Sequence, residues 1–321
     1  NQRVKCKTSA VREADMIETF IILFPIFAVI LLGWLAVRLR FVGVESGNGL
    51  SEFVFVIAIP LMLFRTIATA PLPASPPWSY WLSYYLARAI VWTIVAQVAR
   101  RAMKRDNREA SIIGFSVGQS NLVLISIPMV LRVFGEEGSV PLFLMVAVNL
   151  PITLTVATVL IETSDAPAGR YRAMLVKLAT NPILIGIAAG LLWRQTGWLI
   201  PDPVMSSLKF IGDASAPCAL FAMGAALSRY GLGGDYRLLA LVVALKLLVF
   251  PAIVYLLAYK LFALPPVWAG VITMIAAAPC GINAYLLAER YRLGLGLTSG
   301  AIAVSTVLSV VTSTFWVWLV R

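Results

Sequence analysis

Residues 118–128 read GQSNLVLISIP, and residues 276–285 read AAAPCGINAY. Each stretch sets amide, hydroxyl, glycine or proline residues where an unbroken apolar helix should run. In lipid every backbone N–H and C=O must be satisfied within the protein, so a helix breaks at membrane depth only where it is buried in protein or lines a cavity. Paired breaks in the two halves of a polytopic chain point to a transporter binding site. The expectation is an all-α secondary transporter with its substrate held between the two breaks.

Composition agrees with a membrane chain. Of the residues, 60% are hydrophobic and 13% charged, about half the charged fraction of an ordinary soluble domain, and mean hydropathy is +0.89. The net charge of +11 would suggest nucleic acid in a soluble chain, but here Lys and Arg sit in short loops between apolar runs, which excludes a nucleic-acid partner and leaves membrane lipids as the neighbours. Cys6, Cys218 and Cys280 lack metal-ligand spacing, and there is no histidine, so neither a metal centre nor a histidine proton relay is expected. An intramembrane enzyme is disfavoured, since a chain without histidine has no HExxH. Residues 1–15 read as a tag, an upstream extension or a disordered tail, not a signal peptide, and Met16 opens the apolar sequence.

Apolar runs predict ten membrane helices at about 17–38, 49–70, 78–100, 110–132, 140–162, 173–195, 204–228, 237–260, 266–289 and 297–320. A repeat with an offset of 157 residues relates them: Pro25 and Gly33 recur as Pro182 and Gly190, Pro60, Leu63 and Phe64 as Pro217, Leu220 and Phe221, and Phe134 as Tyr291. The repeats would cover 16–162 and 173–321, joined by a polar linker at 163–172. Five helices per repeat is an odd number, so the second enters from the opposite side. Fourteen Lys and Arg residues fall on the side that carries the basic loop 100–108, and five on the other once the leader is set aside. The richer side reads as cytoplasmic, with both termini outside.

Asn121 offers two N–H donors and a carbonyl acceptor beside Gln119, Ser120 and Ser126, a cluster suited to a carboxylate. Pro128 and Pro279 lack the helical N–H and free backbone carbonyls, and Gly281 tolerates unusual dihedrals next to Cys280 and Asn283. Half-helix N-termini directed at a crossing point favour an anion. Arg65, Arg88 and Lys246 are the cations placed away from helix ends, and Arg88 and Lys246 fall one residue apart after the repeat shift, a pair able to flank an anion. For Arg65, snorkelling to the interface is an equal reading. Asp213 is nearly the only acidic candidate away from the predicted helix ends, as a partner of Lys246 or Arg88 and as the residue on which proton coupling would depend.

FPIFAVILLGWLAVR, AIPLMLF, SNLVLISIP, NPILIGIAAGLLW, GDASAPCALFAMG, KLLVFPAIV and APCGINAYLLAERY together resemble the auxin efflux carrier family, which includes plant PIN-type carriers and bacterial organic-acid permeases. The resemblance covers nearly all of residues 16–320. It implies two inverted five-helix repeats, crossing broken helices 4 and 9 as in the bile-acid symporter and sodium/proton antiporter folds, elevator-like alternating access and a homodimer. Asn121 matches the asparagine that meets the substrate carboxylate, Pro128 the proline seven residues on, and Pro279, Gly281 and Ile282 the second crossing. The chain departs from the family at Cys280, where a glutamine is usual, at Asn283, usually apolar, and at Ala284, where the crossover proline would stand. These changes make the pocket more polar and favour a small organic acid over an indole. The expected activity is a plasma-membrane carrier of small organic anions such as malonate, malate or auxin-like carboxylates, without a bound cofactor, coupled to sodium or protons if at all. A sodium-coupled symporter of bile-acid type and a ligand sensor without transport are the alternatives.

Overall fold

The computed structural model describes residues 2–69, 77–161, 176, 179–230 and 235–321. The linker expected at 163–172 lies outside them, as does the start of the helix expected at 173–195. The chain runs through α1 (Gln2–Arg38), α2 (Val44–Phe53), α3 (Ile59–Thr69), α4 (Trp78–Arg101), α5 (Asn107–Gly118), α6 (Ile127–Phe134) and α7 (Ser139–Ile161). It continues with α8 (Pro182–Thr196), α9 (Asp202–Asp213), α10 (Ser215–Leu227), α11 (Tyr236–Ala244), α12 (Phe250–Tyr255), α13 (Pro266–Ala277), α14 (Ile282–Tyr291) and α15 (Leu295–Val320). Helix α1 takes in residues 2–15, so the leader continues the helix.

Among the described residues, six helical stretches are long and apolar enough to cross a membrane: Met16–Arg38, Glu45–Thr69, Trp78–Arg101, Asp202–Leu227, Tyr236–Leu261 and Leu295–Val320. Large apolar side chains such as Ile21, Leu192, Phe210 and Val311 are exposed on helix faces, which is costly in water and expected against lipid. The chain is a multi-pass membrane protein. The broken pairs α5/α6 and α13/α14 are each too short for a full span in one piece.

Several long helices contain a π-helical turn, and three of these turns end two residues before a proline. Val54–Ala58 precedes Pro60, Leu122–Ser126 precedes Pro128, and Leu245–Val249 precedes Pro251. Proline removes an i→i−4 hydrogen bond and pushes its ring at the preceding turn; one wider turn relieves that clash without ending the helix. Pro128 is therefore not a break, contrary to its assignment from sequence. The chain opens earlier, at 119–121, and resumes as helix from Leu122 through Phe134.

Close packing follows the small residues. A Cβ on Gly33 would collide with the Phe221 carbonyl oxygen, and one on Gly190 would lie 2.9 Å from the Phe64 carbonyl oxygen. Thus α1 lies on α10 and α3 on α8 at backbone distance, through residues related by the 157-residue offset. Gly114 and Gly118 do the same for α5 against α4: a Cβ at Gly118 would sit 2.7 Å from Arg88 Cγ. That approach lets the Arg88 side chain pass across the end of α5.

Candidate functional site

The two breaks meet as a one-pair antiparallel bridge between Ser120 and Cys280. Asn121 N donates to Pro279 O and Gly281 N donates to Gln119 O, both at 2.8 Å, while Cys280 N donates to Ser305 Oγ at 3.0 Å. Three of the backbone donors released by the breaks are thus satisfied inside the protein, in keeping with a lipid environment. Gly281 is required by this approach, because a Cβ there would lie 2.7 Å from Ser120 O.

Beyond the bridge each chain turns back into helix. Asn121 caps the first resumed helix, its Oδ1 accepting from Leu124 N at 3.3 Å and its Nδ2 donating to Met223 Sδ at 3.1 Å. N-terminal ends of helices carry partial positive charge and unpaired N–H groups. Here the ends starting at Leu122 and Ile282 border one cavity of about 340 Å³, lined by Gln119, Ser120, Asn121, Asn149, Asn181, Gly281 and Asn283 among apolar residues that include Phe55, Val146 and Ile183. Among the described residues, none that lines it is acidic.

The two cations flank the first break. Lys246 is fully buried on the π-helical turn between α11 and α12, where its Nζ donates to Ser120 Oγ and to Ala276 O, each at 2.7 Å. Ala276 O is available because Cys280 N, its helical partner in an unbroken helix, is bound to Ser305. Lys246 thereby neutralises the negative end of α13, with its Nζ 4.7 Å from the centre of the Phe250 ring. Tyr84 Oη reaches the same Ser120 Oγ at 3.2 Å. Arg88 is 3% exposed and held between the rings of Trp92 and Phe115 at 5.6 and 5.4 Å. Its guanidinium donates to Gln119 Oε1 at 3.2 Å and to Thr153 Oγ1 at 2.7 Å.

Of the residues singled out from sequence, Gln119, Ser120, Asn121, Gly281, Ile282 and Asn283 come together on the cavity wall. Pro279 and Cys280 do not line it: Cys280 faces inward and is wholly buried. Asp213 is displaced further. It does not pair with Lys246 or Arg88 but with Lys209 Nζ, one helical turn earlier at 2.8 Å, and its side chain is 58% exposed. Arg65 lies 3.9 Å from Glu136 at a separate cavity of about 780 Å³ bordered by Ser139, Pro141 and Trp268. Asn149 and Asn181, two further lining amides, were missed from sequence. Each is a lone amide in a largely apolar run, the signal that could have exposed them.

The family model described as "Membrane transport protein" matches residues 19–317. A protein of Rhizobium meliloti (strain 1021) named "Putative malonate transporter" is 24% identical over 310 residues, covering 95% of this chain and 97% of that protein. "Auxin efflux carrier component 8" of Arabidopsis thaliana is 22% identical, covering 84% of this chain and 88% of the carrier. "Uncharacterized transporter YfdV" of Escherichia coli (strain K12) is 21% identical, covering 93% and 96%. The match over almost the whole chain makes this a transporter and not an enzyme, a member of the membrane transport protein family to which the auxin efflux carriers belong.

Proposed function

We propose that the protein carries small organic anions, with malonate-sized carboxylates bound in the cavity where the two broken helices meet. The observation that carries this reading is the cavity wall itself: five side-chain amides, two helix N-terminal ends and, among the described residues, no acidic one, backed by buried Lys246 and Arg88. A volume of about 340 Å³ lies at the small end of ligand pockets, which run from roughly 300 Å³ upward. The named malonate transporter among the relatives supports the same substrate class.

The architecture in this reading is two inverted five-helix repeats operating by elevator-type alternating access. Reciprocal packing of Gly33 on Phe221 and Gly190 on Phe64 supports it, since each contact is the repeat image of the other. With the basic loops cytoplasmic, both termini lie outside the plasma membrane, and the cavity faces inward beside the N-terminal end of α8.

Sodium is not needed in this scheme. Carbonyls freed at half-helix C-terminal ends commonly hold the coupling cation in transporters. Here Lys246 Nζ fills that role at Ala276 O, which favours the anion carrier over a sodium-coupled symporter. The test is uptake of labelled malonate into proteoliposomes in sodium or choline medium. Saturable uptake equal in both media, and lost in Asn121→Ala, is expected; the absence of flux with any small carboxylate would refute the assignment.

A further inference from the structure

Side-chain amides are chemically two-faced, and a cavity lined with them is selective for anions only if their N–H ends face the ligand. In this protein the orientation is imposed from behind. A guanidinium has five donors and no acceptor, so an amide that meets Arg88 must turn its oxygen to it. Gln119 Oε1 accepts from Arg88 Nη2 at 3.2 Å. For Asn149 the stronger link is relayed: Arg88 Nη1 donates to Thr153 Oγ1 at 2.7 Å, and that hydroxyl donates to Asn149 Oδ1 at 3.2 Å. The direct Arg88–Asn149 contact is longer, at 3.5 Å. Asn181 is oriented by a different donor set, its Oδ1 capping Ile183 N at 3.0 Å and Leu184 N at 3.4 Å. All three residues line the cavity. Their amino groups have no protein acceptor among the described residues, and they are not among the sealed, unpartnered buried atoms. Those N–H groups therefore open onto the cavity.

We propose that Asn149 and Asn181 are substrate-binding residues and that Arg88 is a positioning residue, which sets anion selectivity by holding the Gln119 and Asn149 amino groups toward the ligand. This rests on the organic-anion reading above and deepens it. Arg88 acts through the amides, gripped between Trp92 and Phe115. Without it nothing dictates which end of either amide faces the cavity. Rotation by half a turn would present carbonyl oxygens, which repel a carboxylate and welcome a neutral amide.

The test compares malonate with malonamide, its neutral diamide of the same carbon frame, by ligand-induced melting shifts and by competition for malonate uptake with the purified full chain. The wild type is expected to prefer malonate at least tenfold. Arg88→Gln should collapse that preference to about twofold, and Arg88→Lys, which keeps a donor-only cation, should restore most of it. A role limited to stability would weaken both ligands together and leave the ratio unchanged, which would overturn the proposal. Asn181→Ser supplies a second route if Arg88→Gln fails to fold, because the serine hydroxyl can still cap α8 while the amino donors are lost without adding a charge. Its melting temperature without ligand should match the wild type while malonate affinity falls more than tenfold; retained affinity would remove Asn181 from the site. If the wild type binds no small carboxylate, the organic-anion reading fails. If it binds and these variants bind alike, only the present inference fails.

Discussion

Replacing Lys246 with Met removes a buried charge while keeping much of the side-chain volume, and two opposing terms set the effect on stability. The charge-assisted hydrogen bonds to Ser120 Oγ and Ala276 O, both at 2.7 Å, are worth about 1.5–3 kcal/mol each. Against that, burying an ammonium costs several kcal/mol even after relaxation. The terms nearly cancel, so Lys246→Met should fold with a modest change in melting temperature. Binding should respond far more. Ser120 both contacts Lys246 and borders the cavity, which places a bound carboxylate about two hydrogen-bond lengths, roughly 6 Å, from Nζ. At an effective dielectric constant near 20, one unit charge at that distance contributes about 2–3 kcal/mol, or roughly a hundredfold in Kd. The assay is malonate titration followed by melting shift and by half-saturation of uptake. A folded Lys246→Met protein that binds malonate within threefold of the wild type would refute the placement of the anion beside Ser120.

Other substitutions read other parts of the account. Gly281→Ala puts a methyl group 2.7 Å from the Ser120 carbonyl oxygen, in a bridge that cannot yield without losing both its hydrogen bonds; we expect about 1–3 kcal/mol of destabilisation and a lower melting temperature, and an unchanged melt would count against the bridge. Asp213→Asn should leave malonate uptake intact and stability within about 0.5 kcal/mol, since its pair with Lys209 is exposed to a large extent; abolished uptake would return Asp213 to the coupling machinery. Gly33→Ala and Gly190→Ala should each lower the melting temperature, Gly33→Ala more, because its methyl group would meet backbone at the shorter distance. Indifference at both positions would dissociate the offset from the packing.

Both breaks are legible in the sequence because Gln119–Ser120–Asn121 and Pro279–Cys280–Gly281 cannot continue an apolar helix without placing polar or N–H-deficient groups in it. The relation between Arg88 and Lys246 is also legible, through the repeat offset. What fails is whatever depends on a partner far along the chain. Pro128 carries the same local signal as a break, but a π-helical turn absorbs it, and the opening is set by residues 279–281 pairing with 119–121. Cys280 alternates away from the cavity in the bridge, where Ser305, on α15, takes its N–H. Asp213 has an acidic side chain at membrane depth by counting, yet the helix face that carries it points outward to Lys209. Asn149 and Asn181 look like ordinary helix-packing and capping amides until α7 and α8 bring them to one wall.

The most direct measurement is an experimental structure of the protein with malonate. The account predicts the ligand between the N-terminal ends of the resumed helices, within hydrogen-bond distance of the side-chain amides of Asn121, Asn149 and Asn181. Malonate bound instead in the cavity of about 780 Å³ beside Arg65 and Glu136, with the crossing cavity empty, would contradict it.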